Sequence, residues 1–290
     1  MVLNVIGCGN LGRVLCRLWH QSGTFQIGCV RNRSLESAQS AVAFIGAGVA
    51  IADDAALTPA DATLIGTPDD AIEAAAARLA ACGVLRPGDV VFHCSGSLSS
   101  ETLFPVRARG AHVASAHPIH SFADPLRSVA EGGFAGTFCA LEGDPEAVPL
   151  LRDVFTAVGA QVFPIESAQK SVYHAGTVFA ANYLVALLEV SRRCLEQAGV
   201  PQEQALAVLG PLVGHTADNV FAKGTTRALS GPIARGDAGV VARQLDSLAA
   251  WDPEIAALYR HLGRVATGLS QQQGTASAEA LARIRELLAE

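Results

Sequence analysis

The chain is poor in methionine (one), tryptophan (two) and tyrosine (three), and only 17% of its 290 residues are charged. Basic residues are also in the minority: 21 lysines and arginines face 27 acids, for a net charge of −6. Binding nucleic acid requires a basic face that neutralises phosphates, so this balance argues against such a partner. No two cysteines are spaced C-x-x-C. Cys8, Cys16, Cys29, Cys82, Cys94, Cys139 and Cys194 are scattered and odd in number. They read as small buried hydrophobes of a reducing cytoplasm, not as a disulfide framework or a zinc site. The start, MVLNVIGCG, lacks the basic, then apolar, then small-residue order of a secretion signal. No apolar run approaches the roughly 20 residues of a bilayer-spanning helix, so no membrane partner is expected. What the chain does have is hydrophobicity: half of its residues are apolar, enough for a large core in one or two domains.

Up to residue 165, short β-type runs alternate with Ala-rich helical stretches. The runs are VLNVIG, FQIGCV, VAIA, ATLIGT, DVVFHC, HVASAH, GTFCAL and QVFPI. Apolar strands alternating with helices predict a parallel sheet covered on both faces. From Glu166 the strand signal stops, and helices are expected near 166–199, 201–222, 238–250, 253–269 and 276–289. Pro201, Pro232 and Pro253 punctuate them, because proline starts helices well and interrupts them badly. The expected organisation is an α/β Rossmann-like dinucleotide-binding domain over 1–165, followed by an all-helical substrate and dimerisation domain over 166–290.

The run VLNVIGCGNLGRVLCRLW sets Gly7, Gly9 and Gly12 between a strand and a helix. Gly7 permits a tight turn, Gly9 lets the backbone approach a pyrophosphate, and Gly12 lets the helix pack close to the strand. Asn10 and Leu11 open the helix whose free N–H groups would hold the pyrophosphate. About 20 residues on, where NAD sites carry an acid for the ribose 2′-hydroxyl, this chain reads Arg31, Asn32, Arg33 and Ser34. Guanidiniums and a hydroxyl suit a 2′-phosphate, which favours NADP. The other reading is a solvated basic turn.

Other loops leave the same sheet edge. IGTPDDAI sets Thr67 and Pro68 beside the cofactor path, with Asp69 or Asp70 at a helix cap. FHCSGSLSSETL offers Ser95, Gly96 and Ser97 to a ligand. ASAHPIHSFAD brings His117 and His120 three apart, but Pro118 and the lack of a carboxylate–histidine cluster speak against metal. His117 is expected to face substrate or to be hydrogen-bonded structurally.

GCGNLG, HCSGS, SAHPIHSF, YHAGTVFAANY and LSGPIARGD together resemble a family of small bacterial proteins. In these a Rossmann-like NADP-binding domain precedes the helical domain of unknown function 2520. Wider relatives are the β-hydroxyacid dehydrogenases, 6-phosphogluconate dehydrogenase, pyrroline-5-carboxylate reductase and the deazaflavin-dependent NADP reductases. The resemblance implies a two-domain plan, a cleft between the domains for the active site, and dimerisation through the helices. It supplies no substrate. In the hydroxyacid dehydrogenases, the first long helix of the second domain carries a catalytic lysine and, one turn on, an asparagine. Here Asn182 would pair with Val178, or Lys170 with His174, so neither alignment reproduces the pattern.

In KSVYHAGTVFAANY, Lys170 and His174 are four apart and share a helix face. His174 reads either as a core histidine or as the proton donor or acceptor of a hydride transfer. Asn182 reads as a buried amide or a ligand contact. Lys170 is catalytic or snorkels to solvent from a helix end. In LSGPIARGD, Asp237 is expected to cap the next helix, and Arg235 to hold the loop or anchor a substrate anion. The expected function is an NADP-dependent oxidoreductase moving a hydride to or from a small carbonyl or imine. The alternatives are an NADP-binding regulatory protein without chemistry and a deazaflavin-linked NADP reductase.

Overall fold

In a computed structural model, the structure describes residues 1–120, 122, 124–130 and 134–289. Ser121 of the SAHPIHSF motif lies outside them. The chain forms two compact units, Met1–Ala181 and Asn182–Glu290.

The first unit is built on one eight-stranded sheet in the order β3-β2-β1-β4-β5-β6-β7-β8. Its strands are β1 (Val2–Ile6), β2 (Gln26–Arg31), β3 (Val49–Ile51), β4 (Ala62–Ile65), β5 (Val90–His93), β6 (His112–Pro118), β7 (Phe138–Gly143) and β8 (Gln161–Pro164). Each expected strand is present. Strands β1 to β6 pair in parallel, and β6 pairs with β7 antiparallel. The connection after β6 re-enters the sheet from the end where β6 finishes, so β7 runs the other way. Helix α6 then crosses over, making β8 parallel to β7.

The helices of this unit are α1 (Asn10–Gln21), α2 (Leu35–Ile45), α3 (Ile72–Ala81), α4 (Phe104–Arg107), α5 (Pro125–Ala130), α6 (Val148–Thr156) and α7 (Lys170–Ala180). Alternation along the strands splits the apolar residues between the two faces. Leu3, Val5, Leu64, Phe92 and Ala114 join one core with α1, whereas Ile6, Ile65, Val91 and Val113 join the other with α3. Trp19 centres the first core. It is fully buried, edge-on to Phe25, Phe92 and Phe155 with centroids 5.3–6.2 Å away, and donates its indole N–H to the Val154 carbonyl at 2.8 Å.

The second unit comprises α8 (Asn182–Gln197), α9 (Gln202–Lys223), α10 (Thr225–Ala228), α11 (Pro232–Arg235), α12 (Ala238–Trp251), α13 (Pro253–Gln273) and α14 (Ala278–Leu287). Its core gathers Ile233, Val241, Leu245, Ile284 and Leu288. Asp237 caps α12 by accepting from the Val240 N–H at 3.1 Å, as expected from LSGPIARGD, and Arg235 is exposed.

Two expectations need correcting. The stretch read as one helix from 166 breaks at Ala181 (φ −113°, ψ −67°), which separates α7 from α8. The statement that no run approaches the length and hydropathy of a bilayer span also fails. Ser167–Gln197 contains an 18-residue window of mean hydropathy 1.3. Its charged residues fall outside such a window, so counting uninterrupted apolar residues missed it.

Candidate active site

Strands β1 and β4 are neighbours, but the chain leaves β1 towards β2 on one side and reaches β4 on the other. A crevice opens at such a switch point, beyond the carboxyl ends of the strands. Gly7 ends β1 there with φ +87°, and a Cβ on it would lie 2.6 Å from the Thr67 nitrogen. Only glycine allows the loops after β1 and β4 to come this close. Gly9, at the N-cap of α1, faces open space, and no side chain caps the helix. Gly12 differs from the expectation. A Cβ there would meet Cys8 Sγ at an ordinary 3.4 Å, so close packing does not demand glycine.

The crevice is a cavity of about 550 Å³ lined by Gly7, Cys8, Gly9, Arg31–Ser34, Ser37, Gly66–Pro68, Ala71 and Arg78. The buried Thr67 hydroxyl faces it without a hydrogen-bond partner among the described residues. A capless helix terminus, an open glycine and an unpaired hydroxyl fit a dinucleotide pyrophosphate. Asn10 donates to the Phe122 carbonyl at 3.0 Å, and Leu11 packs against the core. The Asn32 side chain is consumed internally. It accepts the Cys8 N–H at 2.6 Å and donates to Ser37 at 3.1 Å, tying the glycine loop to α2. Ser34 caps α2 through the Ser37 N–H at 3.2 Å. Arg33 is exposed and has no ion pair among the described residues, whereas Arg31 Nε sits 3.0 Å from Asp54 Oδ1, close enough for an ion pair though not aligned as a hydrogen bond.

Further along the same edge, the loop after β5 is tied down by its own serines. Ser95 and Ser97 both donate to Asp69 Oδ2, at 2.7 and 2.8 Å, and the Ser95 hydroxyl accepts the backbone N–H groups of Ser97 and Leu98. Asp69 therefore organises this loop instead of capping a helix, and Ser95 is a loop pin more than a free ligand contact. Gly96 is different. A Cβ there would overlap the His174 ring and lie 2.8 Å from His117 Nε2. The two imidazoles thus close around the Gly96 backbone, with ring centroids 5.4 Å apart.

Helix α7 supplies that wall. Its inward residues are Lys170, Tyr173, His174 and Thr177, at the i, i+3, i+4, i+7 spacing of one helix face. Lys170 is 1% exposed, so it does not snorkel to solvent. Its ammonium donates to Ser115 Oγ and reaches Glu142 Oε1 at 3.4 Å. Glu142 also accepts from the Ser100 N–H and hydroxyl and from the Ser167 hydroxyl, at 2.6–2.8 Å. Burial pulls Lys170 below the usual lysine range, and Glu142 opposes the pull. His93, behind the loop, accepts the Ser95 N–H on Nδ1. Burial and then the Lys170 charge lower it to about 4.

Burial raises Tyr173 to about 12, and its phenol shares a hydrogen bond with His117 Nδ1 at 2.8 Å. Burial, and then His174 and Lys170, lower His117 to about 4. It is therefore neutral near pH 7, and its Nε2 lies beside Gly96. On His174, Nδ1 contacts the Thr177 hydroxyl at 3.2 Å, and that hydroxyl donates to the His174 carbonyl. Asn182 opens α8 and Arg235 ends α11, both in the second unit. Asp69 was expected only as a helix cap, and the spacing gave no hint of Ser115, Glu142 and Asp54, whereas Tyr173 and Thr177 were legible from the stripe that holds Lys170 and His174.

A roomier cavity, about 700 Å³, lies beside Ile119, His120, Phe138 and Phe163. It holds none of the groups just described. His120 lies there against Phe122, apart from His117, and among the described residues no three His, Cys, Asp or Glu side chains gather as metal ligands.

Residues 1–118 match the Rossmann-like domain, and residues 137–266 match the domain of unknown function DUF2520. The DUF2520 match begins within the sheet, just before β7. Among solved structures, a protein from Thermotoga maritima is 27% identical, with 93% of this chain and 99% of that one covered at a TM-score of 0.73. A candidate NADP oxidoreductase from Bacteroides fragilis is 24% identical, with 91% and 97% covered at 0.71. A reductive aminase from Aspergillus terreus, solved with NADPH and ethyl-5-oxohexanoate, is 17% identical, with 99% and 92% covered at 0.58. Among curated proteins none matches.

Proposed function

We propose that this chain is an NADP-dependent oxidoreductase that moves a hydride to or from a small polar carbonyl or imine. One observation carries the reading. The dinucleotide crevice after β1 and β4 and the Gly96 loop after β5, with His117 of β6 and His174 of α7 against it, lie on one edge of adjacent parallel strands. Strands β1 and β5 are two strand spacings apart, about 10 Å. The fold shared with an aminase solved with NADPH supports the cofactor, and the arginines at the crevice support the phosphorylated form.

The nicotinamide, when bound, supplies or takes the hydride. Gly7, Gly9 and the start of α1 hold the pyrophosphate, and Thr67 donates its free hydroxyl to the cofactor. His117 presents a neutral Nε2–H that polarises the carbonyl or imine, as a donor fixed in place by Tyr173. His174 exchanges the proton on the substrate heteroatom, because an imidazole gives and takes protons near neutrality. Lys170 and Glu142 hold α7 against the Gly96 loop. The test is NADPH oxidation followed over a panel of ketoacids, oxo-esters with amines, cyclic imines and an oxidised deazaflavin. Tight NADPH binding with no turnover on any of them would leave a binding protein without chemistry.

The chain works as a homodimer in the cytoplasm. Its unpaired thiols suit a reducing compartment. Leu206, Leu212 and Phe221 on α9 are 56–89% exposed, an apolar surface that a second copy would cover. Light scattering at micromolar concentration should give twice the chain mass; a monomer there sinks the dimer, and flotation with lipid vesicles would assign the surface to a membrane.

A further inference from the structure

The crevice beside the glycine loop holds a charge arrangement that neither the glycine pattern nor the basic strand end explains. Asp54, its side chain 14% exposed, lies between two arginines from different elements. Arg31, at the end of β2, brings Nε to 3.0 Å from one carboxylate oxygen, and Arg78, in the last turn of α3, brings Nε to 2.9 Å from the other. Both are gripped at Nε. Their terminal Nη groups have no partner among the described residues. Both arginines line the crevice, as does Arg33, and among the described lining residues none is acidic. The carboxylate thus sits behind the guanidiniums and holds two like charges side by side, with their forks free.

We infer that Arg78 is a cofactor-specificity residue: with Arg31 and Arg33 it forms the seat of a phosphate monoester, the 2′-phosphate of the dinucleotide. Three guanidiniums and one carboxylate leave a local charge of plus two, which complements a monoester carrying nearly two negative charges at neutral pH. A guanidinium fork binds phosphate oxygens in pairs, and a fork already held at its neck loses less freedom on binding. Arg78 lies 47 positions from Arg31 in the sequence, and only the passage of the chain through β3 and β4 brings both to one acid. The inference rests on the reading that the crevice takes a dinucleotide.

The experiment is titration calorimetry of the full chain with NADP+, NAD+ and 2′,5′-ADP. It compares the unmodified protein with Arg78→Ala, Arg78→Lys and Arg109→Ala, the last an exposed, unpaired arginine at the opposite sheet edge. Arg78→Ala should weaken NADP+ and 2′,5′-ADP by about ten- to a hundredfold, the value of a charge-assisted hydrogen bond, and leave NAD+ unchanged. Arg78→Lys, keeping the charge without the fork, should fall between, and Arg109→Ala should change nothing. An equal loss for NAD+ and NADP+, an equal effect of Arg109→Ala, or no effect of Arg78→Ala overturns the inference while leaving the cofactor reading standing. If the unmodified protein binds none of the three nucleotides, the cofactor reading itself fails and the inference falls with it.

Discussion

Helices α1 and α7 pack in the same unit yet are built in opposite senses. Helix α1 turns Val14, Leu15, Cys16 and Trp19 inward and keeps Arg13, Arg17 and His20 towards solvent or the rim. Helix α7 turns Lys170, Tyr173, His174 and Thr177 inward and leaves Val172 and Phe179 at 72% and 64% exposure. The first is the ordinary economy of a soluble helix, in which apolar burial supplies the stability. The second gives up that stabilisation on its inner face, and polar groups are tolerated there because Lys170 and Tyr173 find partners on β6 and β7, and His174 and Thr177 on α7 itself. A helix whose polar stripe faces its own fold marks a site.

The comparison can be broken most directly at Trp19. Trp19→Ala removes the largest inward side chain of α1 and strands the Val154 carbonyl, so it should cost about 3–5 kcal/mol in denaturant unfolding. A loss below about 1 kcal/mol would mean that α1 is not the scaffold described here. On α7 the equivalent position is Lys170. Lys170→Met should cost about 3 kcal/mol by leaving Glu142 charged and buried, and adding Glu142→Gln should recover part of it. If the single and double variants unfold alike, the ion pair is not what holds α7 to the Gly96 loop.

Burial, and after it the charge on α7, also sets a pH dependence. His93 is held to about 4 in the fold, against about 6.5 in an unfolded chain. As pH falls below 6.5 the unfolded state takes up a proton that the folded state refuses. Stability should therefore drop between pH 6.5 and about 4, by up to about 3 kcal/mol from this group. His117 is displaced in the same direction and adds to the slope. His93→Gln should flatten the profile in that window, and an unchanged slope would show that carboxylates alone produce it.

The smallest effect on stability and the largest on chemistry belong to His174. It is half-buried, and its partner Thr177 keeps the hydrogen bond to the backbone without it. His174→Ala should lower stability by less than about 1 kcal/mol and leave NADPH affinity intact, while removing most turnover on any substrate found. A melting temperature that falls as far as that of Lys170→Met would make His174 a structural residue and sink its role in proton exchange.

The eight strands, the glycine turn and the change from strands to helices were legible in the sequence because each depends on neighbours within a few positions. A run such as VLNVIG buries on both faces whatever lies beside it, and Gly7 adopts a positive φ that other residues resist. The break at Ala181 was not legible, since no proline or glycine announces it. Nor was the inward direction of the polar stripe on α7. Its spacing shows that Lys170 and His174 share a face, but not whether that face meets solvent or the loops after β5 and β6. Only the tertiary structure brought Glu142 to Lys170, Tyr173 to His117 and Asp54 to Arg31 and Arg78. Those partners sit 23 to 56 positions apart on different elements. Periodicity fixes the face on which a side chain lies, whereas its protonation and its partner depend on charges and burial that arrive through space, and these exist only after the sheet has assembled.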